Sequence, residues 1–263
     1  MKPDDLRALL DGAPRFDVDH DPDDPDDPHT SLAWLIAMAE RTVAARPTPV
    51  DPTLVRALER DLAARPPRDE SLGQLHIDPA SCLRRAALAR RDGPVIAVGD
   101  DDGVTLALRR LGHTDVCAVD LDDRLLAFLA EHGIETHRAD FLAGPVPAAL
   151  RGRFRAAITD PFRDLDGGLG FLCFAAACLR PDGELLWVDD PLWNPEHDAV
   201  AAAMAELGWR IAEVRHDVHA YPLTLDAFDP SRIVEELGVD RGWIERLVLA
   251  TSAWSNVYRL VRA

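Results

Sequence analysis

From residue 92 onward, short apolar runs alternate with stretches of helical spacing. "PVIAVG" (94–99) reads as a buried strand, and 103–111 as a helix. "DVCAVDL" (115–121) is a strand, 123–132 a helix, and "IETHRAD" (134–140) a strand. "FRAAITD" (154–160) is a strand, followed by a helix over about 167–179. "GELLWVDD" (183–190) is a strand and 195–207 a helix; strands at 209–218 and 254–263 flank a short helix at 231–238. Repeated strand–helix units predict a doubly wound, mostly parallel α/β sheet of the Rossmann-like, class I methyltransferase type.

Before residue 92 the apolar positions follow helical spacing only. Residues 1–12 read as a short helix, and 31–45 as a longer one with Thr30 or Ser31 as N-cap. A third helix spans 51–64, with Asp51 as cap and Pro52 at its first position. "RPPRDE" breaks the chain before a fourth helix at 78–91. Between the first two helices, "FDVDHDPDDPDDPHT" (16–30) combines prolines with repelling like charges and reads as a solvated loop. Its carboxylates do not follow the spacing of a calcium-binding loop. The predicted organisation is a helical N-terminal extension (1–91) followed by a nucleoside-binding transferase domain (92–263).

Composition narrows the partners. The net charge is −17, from 46 acidic and 29 basic residues. Such a surface repels phosphate backbones, so nucleic acid is excluded as the expected partner, and a cationic small molecule is favoured. No apolar run is long enough to span a bilayer, and no basic segment followed by an apolar stretch opens the chain. The four cysteines form no CxxC pair and read as reduced core residues. A cytoplasmic protein without membrane contact is expected.

The acids are not scattered. In doubly wound sheets the ligand lies at the carboxyl ends of the strands, and there stand Asp100–Asp102, Asp120, Asp140, Asp160 and Asp189–Asp190. The turn after the first strand reads Gly99-Asp100-Asp101-Asp102-Gly103. Three carboxylates there oppose a pyrophosphate and suit a cation. A sulfonium donor whose tail is an ammonium, without the carboxylate of intact S-adenosylmethionine, fits that charge. Asp120, about twenty residues on, is placed to accept from ribose hydroxyls, and Asp140 from an adenine amino group. Asp160, in "ITDPFRD", is placed to orient or deprotonate an attacking amine, with Phe162 as a wall and Asp164 as a further carboxylate. Asp122 reads as the cap of the helix after it. Trp187 and Trp193 flank the end of the fifth strand and suit either cation stacking or core packing. His216 and His219 lack a third zinc ligand and read as surface or pocket-rim side chains; no metal site is expected.

These motifs resemble the branched-chain polyamine synthases, also called N4-bis(aminopropyl)spermidine synthases. That family carries Gly-Asp-Asp-Asp, matched by Gly99–Asp102. It continues with Asp-Ile-Asp-x-Arg, matched by Asp120-Leu121-Asp122-Asp123-Arg124, and with Ile-Thr-Asp-Pro-Pro-Glu-Thr, matched in part by Ile158-Thr159-Asp160-Pro161-Phe162. Gln74 and Arg84 or Arg85 match a preceding glutamine and arginine. The resemblance covers about residues 65–190. It implies transfer of aminopropyl groups from decarboxylated S-adenosylmethionine to a polyamine-like amine, in a homodimer. The implied catalytic residues are Asp160 and Asp102. The donor would meet Gly99, Asp100, Asp101, Asp120, Leu121, Asp140 and Phe141. The acceptor would meet Asp164, Phe162, Asp189 and Gln74.

Three departures stand out. Phe162 replaces the second proline, and Arg163-Asp164 replaces Glu-Thr. Arg163 is expected to point away from the site or to pair with Asp164 or Asp166. The family's N-terminal winged helix is replaced by the helical stretch. The alternatives are an S-adenosylmethionine-dependent methyl or 3-amino-3-carboxypropyl transferase acting on a small molecule or peptide, and a non-catalytic nucleoside-binding module.

Overall fold

The first two strands, β1 (Val95–Val98) and β2 (Val116–Asp120), are buried at every position. Covered on both faces, they are apolar without alternation, as parallel strands require. A computed structural model describes residues 3–13, 27–192 and 194–263. In chain order the elements are α1 (Pro3–Asp11), α2 (Pro28–Ala44), α3 (Pro52–Leu62), α4 (Pro79–Ala86), β1, α5 (Val104–Arg110), β2 and α6 (Asp123–Glu131). Then come β3 (Glu135–Arg138), β4 (Phe154–Thr159), α7 (Leu165–Cys178), β5 (Leu179–Asp189) and α8 (His197–Glu206). The chain closes with β6 (Trp209–Pro222), α9 (Ser231–Leu237), α10 (Arg241–Ala250) and β7 (Ser252–Arg262).

The seven strands lie in the order β3-β2-β1-β4-β5-β7-β6. Pairing is parallel from β3 through β5, and β7 joins β5 antiparallel. The order reverses between β1 and β4, so the expected doubly wound, Rossmann-like sheet is present, with its switch point at the acidic turn. Ile96, Val98, Val119, Phe154, Leu185 and Trp187 fill its core with Phe171 and Leu172 of α7.

By packing, the chain divides otherwise than at residue 91/92. One unit comprises residues 1–46 with 220–254; the other comprises 47–219 with 255–263. Within the first, Leu6, Leu32 and Leu35 share a core with Ile233, Ile244 and Leu247. In the second, α3 and α4 pack on α5 beside the sheet. The helical segment 52–86 therefore belongs with the sheet. It has an apolar partner there, because the Cβ that Gly103 lacks would lie 2.7 Å from Leu62 Cδ2.

Local signals account for most boundaries. Asp51, Asp78, Asp122 and Asp164 each cap a helix through a side-chain oxygen. The second helix begins earlier than expected. Asp27 caps it by accepting from His29 N, with Pro28 at the first position, so neither Thr30 nor Ser31 is its cap. Residues 16–26 of the predicted loop, and Trp193, lie outside the described residues. Among the described residues, no helix is long and apolar enough to cross a membrane.

Candidate functional site

The site is built on the turn after β1. Gly99 and Gly103 both take φ of 74°, the left-handed region that glycine adopts without strain. A Cβ on Gly99 would also lie 2.9 Å from the ring of Phe171. The three aspartates between the glycines diverge. Asp100 turns inward and is fully buried. It accepts from Val104 N at 2.6 Å and Thr105 N at 3.3 Å, and from the Thr105 hydroxyl. It thus caps α5, and burial pushes its carboxyl up to about 7.

Asp101 is half-buried and accepts from Leu75 N at 3.1 Å. Its backbone carbonyl accepts from Arg65 Nη1 at 3.0 Å. Burial and the charges of Asp102, Asp120 and Asp160 push its carboxyl well up. Asp102 divides its two oxygens. Oδ1 accepts from Ile77 N at 2.9 Å, and Oδ2 from Arg85 Nη2 at 2.9 Å.

Arg85 comes from α4 and is buried to 1% exposure. Its Nη1 lies 3.3 Å from Asp160 Oδ2, at the end of β4. The same nitrogen donates toward His219 Nδ1 at 3.4 Å. A guanidinium only donates, so the His219 proton sits on Nε2, which lies 3.3 Å from Asp160 Oδ2. Burial lowers His219 to about 3, which keeps it neutral. His219 is therefore a fully buried member of the site and not a rim residue. Asp102, Asp160 and His219 bring their ligand atoms within 4.8 Å of one another. Arg85 supplies the positive charge among them.

Arg163 completes the network. Its Nη2 donates to Asp160 Oδ1 at 2.9 Å, and its Nη1 lies 3.7 Å from Asp189 Oδ1. It does not point away or pair with Asp164. Asp164 is exposed and accepts from Gly167 N at 2.7 Å, capping α7. Asp189 is fully buried, with Asn194 Nδ2 at 2.8 Å and His197 Nδ1 at 2.9 Å. The His197 ring stacks on Trp187 at 5.1 Å, which assigns that tryptophan to the core. Asp190 accepts from Asn256 Nδ2 at 2.8 Å.

The remaining predicted residues are held by the backbone or by aromatic packing. Asp120 accepts from Asp100 N at 3.0 Å, Leu121 N at 2.8 Å and Asp122 N at 3.0 Å. Asp140 accepts from Leu142 N at 2.9 Å, within its own turn. Gln74 accepts from Asp69 N at 2.7 Å and donates to Asp122 Oδ2 at 3.3 Å, which ties loop 69–74 to the end of β2. Phe141 and Phe162 both meet Phe171 edge-on, at 4.6 and 5.3 Å. Phe162 stays 36% exposed, as a wall would.

Sequence reasoning placed Asp102, Asp160 and Asp189 at the strand ends. It reads His219 as a surface or pocket-rim residue, and Arg163 as pointing away or pairing with Asp164 or Asp166, not with Asp160. The spacing Asp160–Arg163 (i, i+3) was the available signal for the second.

Comparison with known proteins agrees with this architecture. The branched-chain polyamine synthase from Thermus thermophilus, in complex with N4-aminopropylspermidine and 5'-methylthioadenosine, superposes with a TM-score of 0.63 at 22% identity. The superposition covers 80% of this chain and 63% of that one, so the chain spans less than two thirds of that synthase. A C9 mutein of the same synthase in the same complex gives 0.62 at 22% identity, with the same coverage. A Pyrococcus horikoshii protein provisionally assigned as an RNA methyltransferase gives 0.53 at 14% identity, covering 80% of this chain and 99% of its own. No curated protein matches. Residues 54–260 match the family model of the branched-chain polyamine synthase A C-terminal domain, well past the 65–190 that the motifs cover. By that match, over a sheet whose switch point holds the Gly-Asp-Asp-Asp turn, the chain belongs to the branched-chain polyamine synthase family.

Proposed function

We propose that the protein transfers an aminopropyl group from decarboxylated S-adenosylmethionine to the nitrogen of a small amine. One observation carries the reading. Carboxylates from two adjacent strand ends, Asp102 and Asp160, converge within 4.8 Å at the switch point, with half-buried Asp101 beside them on the same turn. Arg85 and Arg163 balance charge at Asp102 and Asp160; with Asp101 and Asp120 beside them the strand ends stay net acidic, which draws a donor with a sulfonium and an ammonium, and an amine acceptor.

The reaction is a displacement. The acceptor nitrogen's lone pair attacks the methylene carbon bonded to the sulfonium. The carbon–sulfur bond breaks and its electrons return to sulfur, leaving neutral 5'-methylthioadenosine. The new ammonium then releases its proton. Alignment and a neutral nucleophile are the main requirements. Asp120 and Leu121 would meet the ribose, and Asp140 with Phe141 the adenine. Asp160, already paired with Arg85 and Arg163, suits orientation of the acceptor better than uptake of its proton. Asp101, held by a backbone amide and with its carboxyl raised, suits the proton.

Arg65 favours a second reading, because its guanidinium stands at the acidic turn on Asp101 O. There it could receive the carboxylate of intact S-adenosylmethionine and support methyl or 3-amino-3-carboxypropyl transfer. Calorimetric titration with decarboxylated and intact S-adenosylmethionine separates the two. The proposed function expects the decarboxylated form to bind about tenfold tighter, the size of one well-placed charge contact. Tighter binding of the intact form overturns it in favour of the second reading.

A further inference from the structure

The seat of the Arg163 guanidinium is made of oxygen. Asp160 Oδ1 accepts from it at 2.9 Å, Pro161 O at 3.1 Å and Val188 O at 3.4 Å, and Asp189 Oδ1 lies at 3.7 Å. Two of the four oxygens belong to carboxylates, one at the end of β4 and one at the end of β5. The seat is rigid, because Asp189 is clamped by Asn194 and His197 and Asp160 by Arg85. It also opens outward, since the Arg163 side chain keeps 21% of its surface exposed. A rigid ring of acceptors with two carboxylates and a path to solvent is what a ligand ammonium requires. Here the protein's own side chain fills it.

We propose that Arg163 is a built-in cation that determines acceptor specificity. It occupies the seat between Asp160 and Asp189, and so restricts the acceptor to amines that bring fewer positive charges than an open seat would take. This inference rests on the amine-transfer reading above. Arg85 differs in kind: it is buried, it bridges Asp102 and Asp160 from behind, and no ligand can replace it without a path from solvent. Arg163 borders solvent, at the ends of β4 and β5 where the amine-transfer reading puts the acceptor. An added ammonium on the acceptor therefore meets a guanidinium where it would otherwise meet two carboxylates.

The test is calorimetry at constant ionic strength on protein saturated with 5'-methylthioadenosine. The titrants are propylamine, 1,3-diaminopropane, spermidine and spermine. For the unaltered chain, affinity should level off beyond the diamine. Arg163→Gln should bind spermidine about tenfold tighter relative to the diamine, because one desolvated ion pair becomes available. Arg163→Lys keeps the charge and should keep the original ranking, which a purely structural role for the guanidinium bonds would not ensure. An unchanged ranking in Arg163→Gln, with methylthioadenosine bound normally, overturns the proposal and leaves the amine-transfer reading standing. Failure of the unaltered chain to bind methylthioadenosine and every amine overturns that reading, and this inference with it. If Arg163→Gln does not fold, the unaltered chain decides: a steady gain with every added ammonium overturns the proposal.

Discussion

On the β1–β2 side of the carboxyl edge, Asp100, Asp120 and Asp140 are held by backbone amides, and Asp100 by the Thr105 hydroxyl as well. On the β4–β5 side, Asp160 and Asp189 are held by side chains: Arg85, Arg163, Asn194 and His197. Asp102 stands between the two and divides its oxygens, one to an amide and one to a guanidinium. Amides are fixed by the fold, so acids of the first kind define the shape of the turn. The guanidiniums of Arg85 and Arg163 carry charge, so acids of the second kind are set by charge balance. The β1–β2 side is thus built to be still and the β4–β5 side to respond to charge.

The largest effect should come from the cation that joins the two sides. Arg85→Met leaves buried Asp102 without its guanidinium and Asp160 with Arg163 alone. It should cost about 3–5 kcal/mol in denaturant unfolding. Adding Asp102→Asn should restore part of that, since the two sites share one network. A loss below about 1 kcal/mol for Arg85→Met would remove the guanidinium from its neutralising role.

A smaller effect, visible as a pH dependence, should mark the amide-held side. Burial raises Asp100 to about 7, against about 3.9 in an unfolded chain. The folded state then binds this proton more readily than the unfolded one. Stability from this group is present below about 4, is lost as pH rises to about 7, and is flat above that. Urea unfolding across this range should show the loss, and Asp100→Asn should flatten it. An identical slope in the variant would assign the dependence elsewhere.

The smallest effect tests whether an exposed acid on the β4 side is only a cap. Asp164→Ala should cost about 0.5–1 kcal/mol in a thermal melt, the range for one N-cap. Its amine affinity should match that of the unaltered chain. A weakened affinity would return Asp164 to the acceptor site.

The same contrast explains what could be read in advance. Strands β1 and β2 were legible because parallel strands buried on both faces leave short, unbroken apolar runs, whereas β3 is a polar edge strand. Among the helices, α3 was legible from Asp51 and the proline after it, and α6 from Asp122. Helix α10 (Arg241–Ala250) escaped notice because "RGWIERLVLA" has no proline start and its apolar face meets α1 and α2, far away in sequence. At the site, the strand-end acids were visible, but a carboxylate that caps a helix has the same one-letter code as one that meets a ligand. Only the fold separates Asp100, turned into α5, from Asp101 one residue later. His219 was unreadable for a similar reason: "RHDVHAY" gives no sign that its second histidine is buried against Asp160.

The helical unit joins residues 1–46 to 220–254, and this has a consequence for how the chain is made. During vectorial synthesis the first helices leave the ribosome long before their partners exist. Strands β1 to β5, which pair mostly with near neighbours in sequence, can meet first. The apolar faces carrying Leu32 and Leu35 must wait for Ile244 and Leu247. That long loop closure makes the joining of the two ends the slow, late event of folding. During that interval the apolar face of α2 that carries Leu32 and Leu35 stays without its cover from α10.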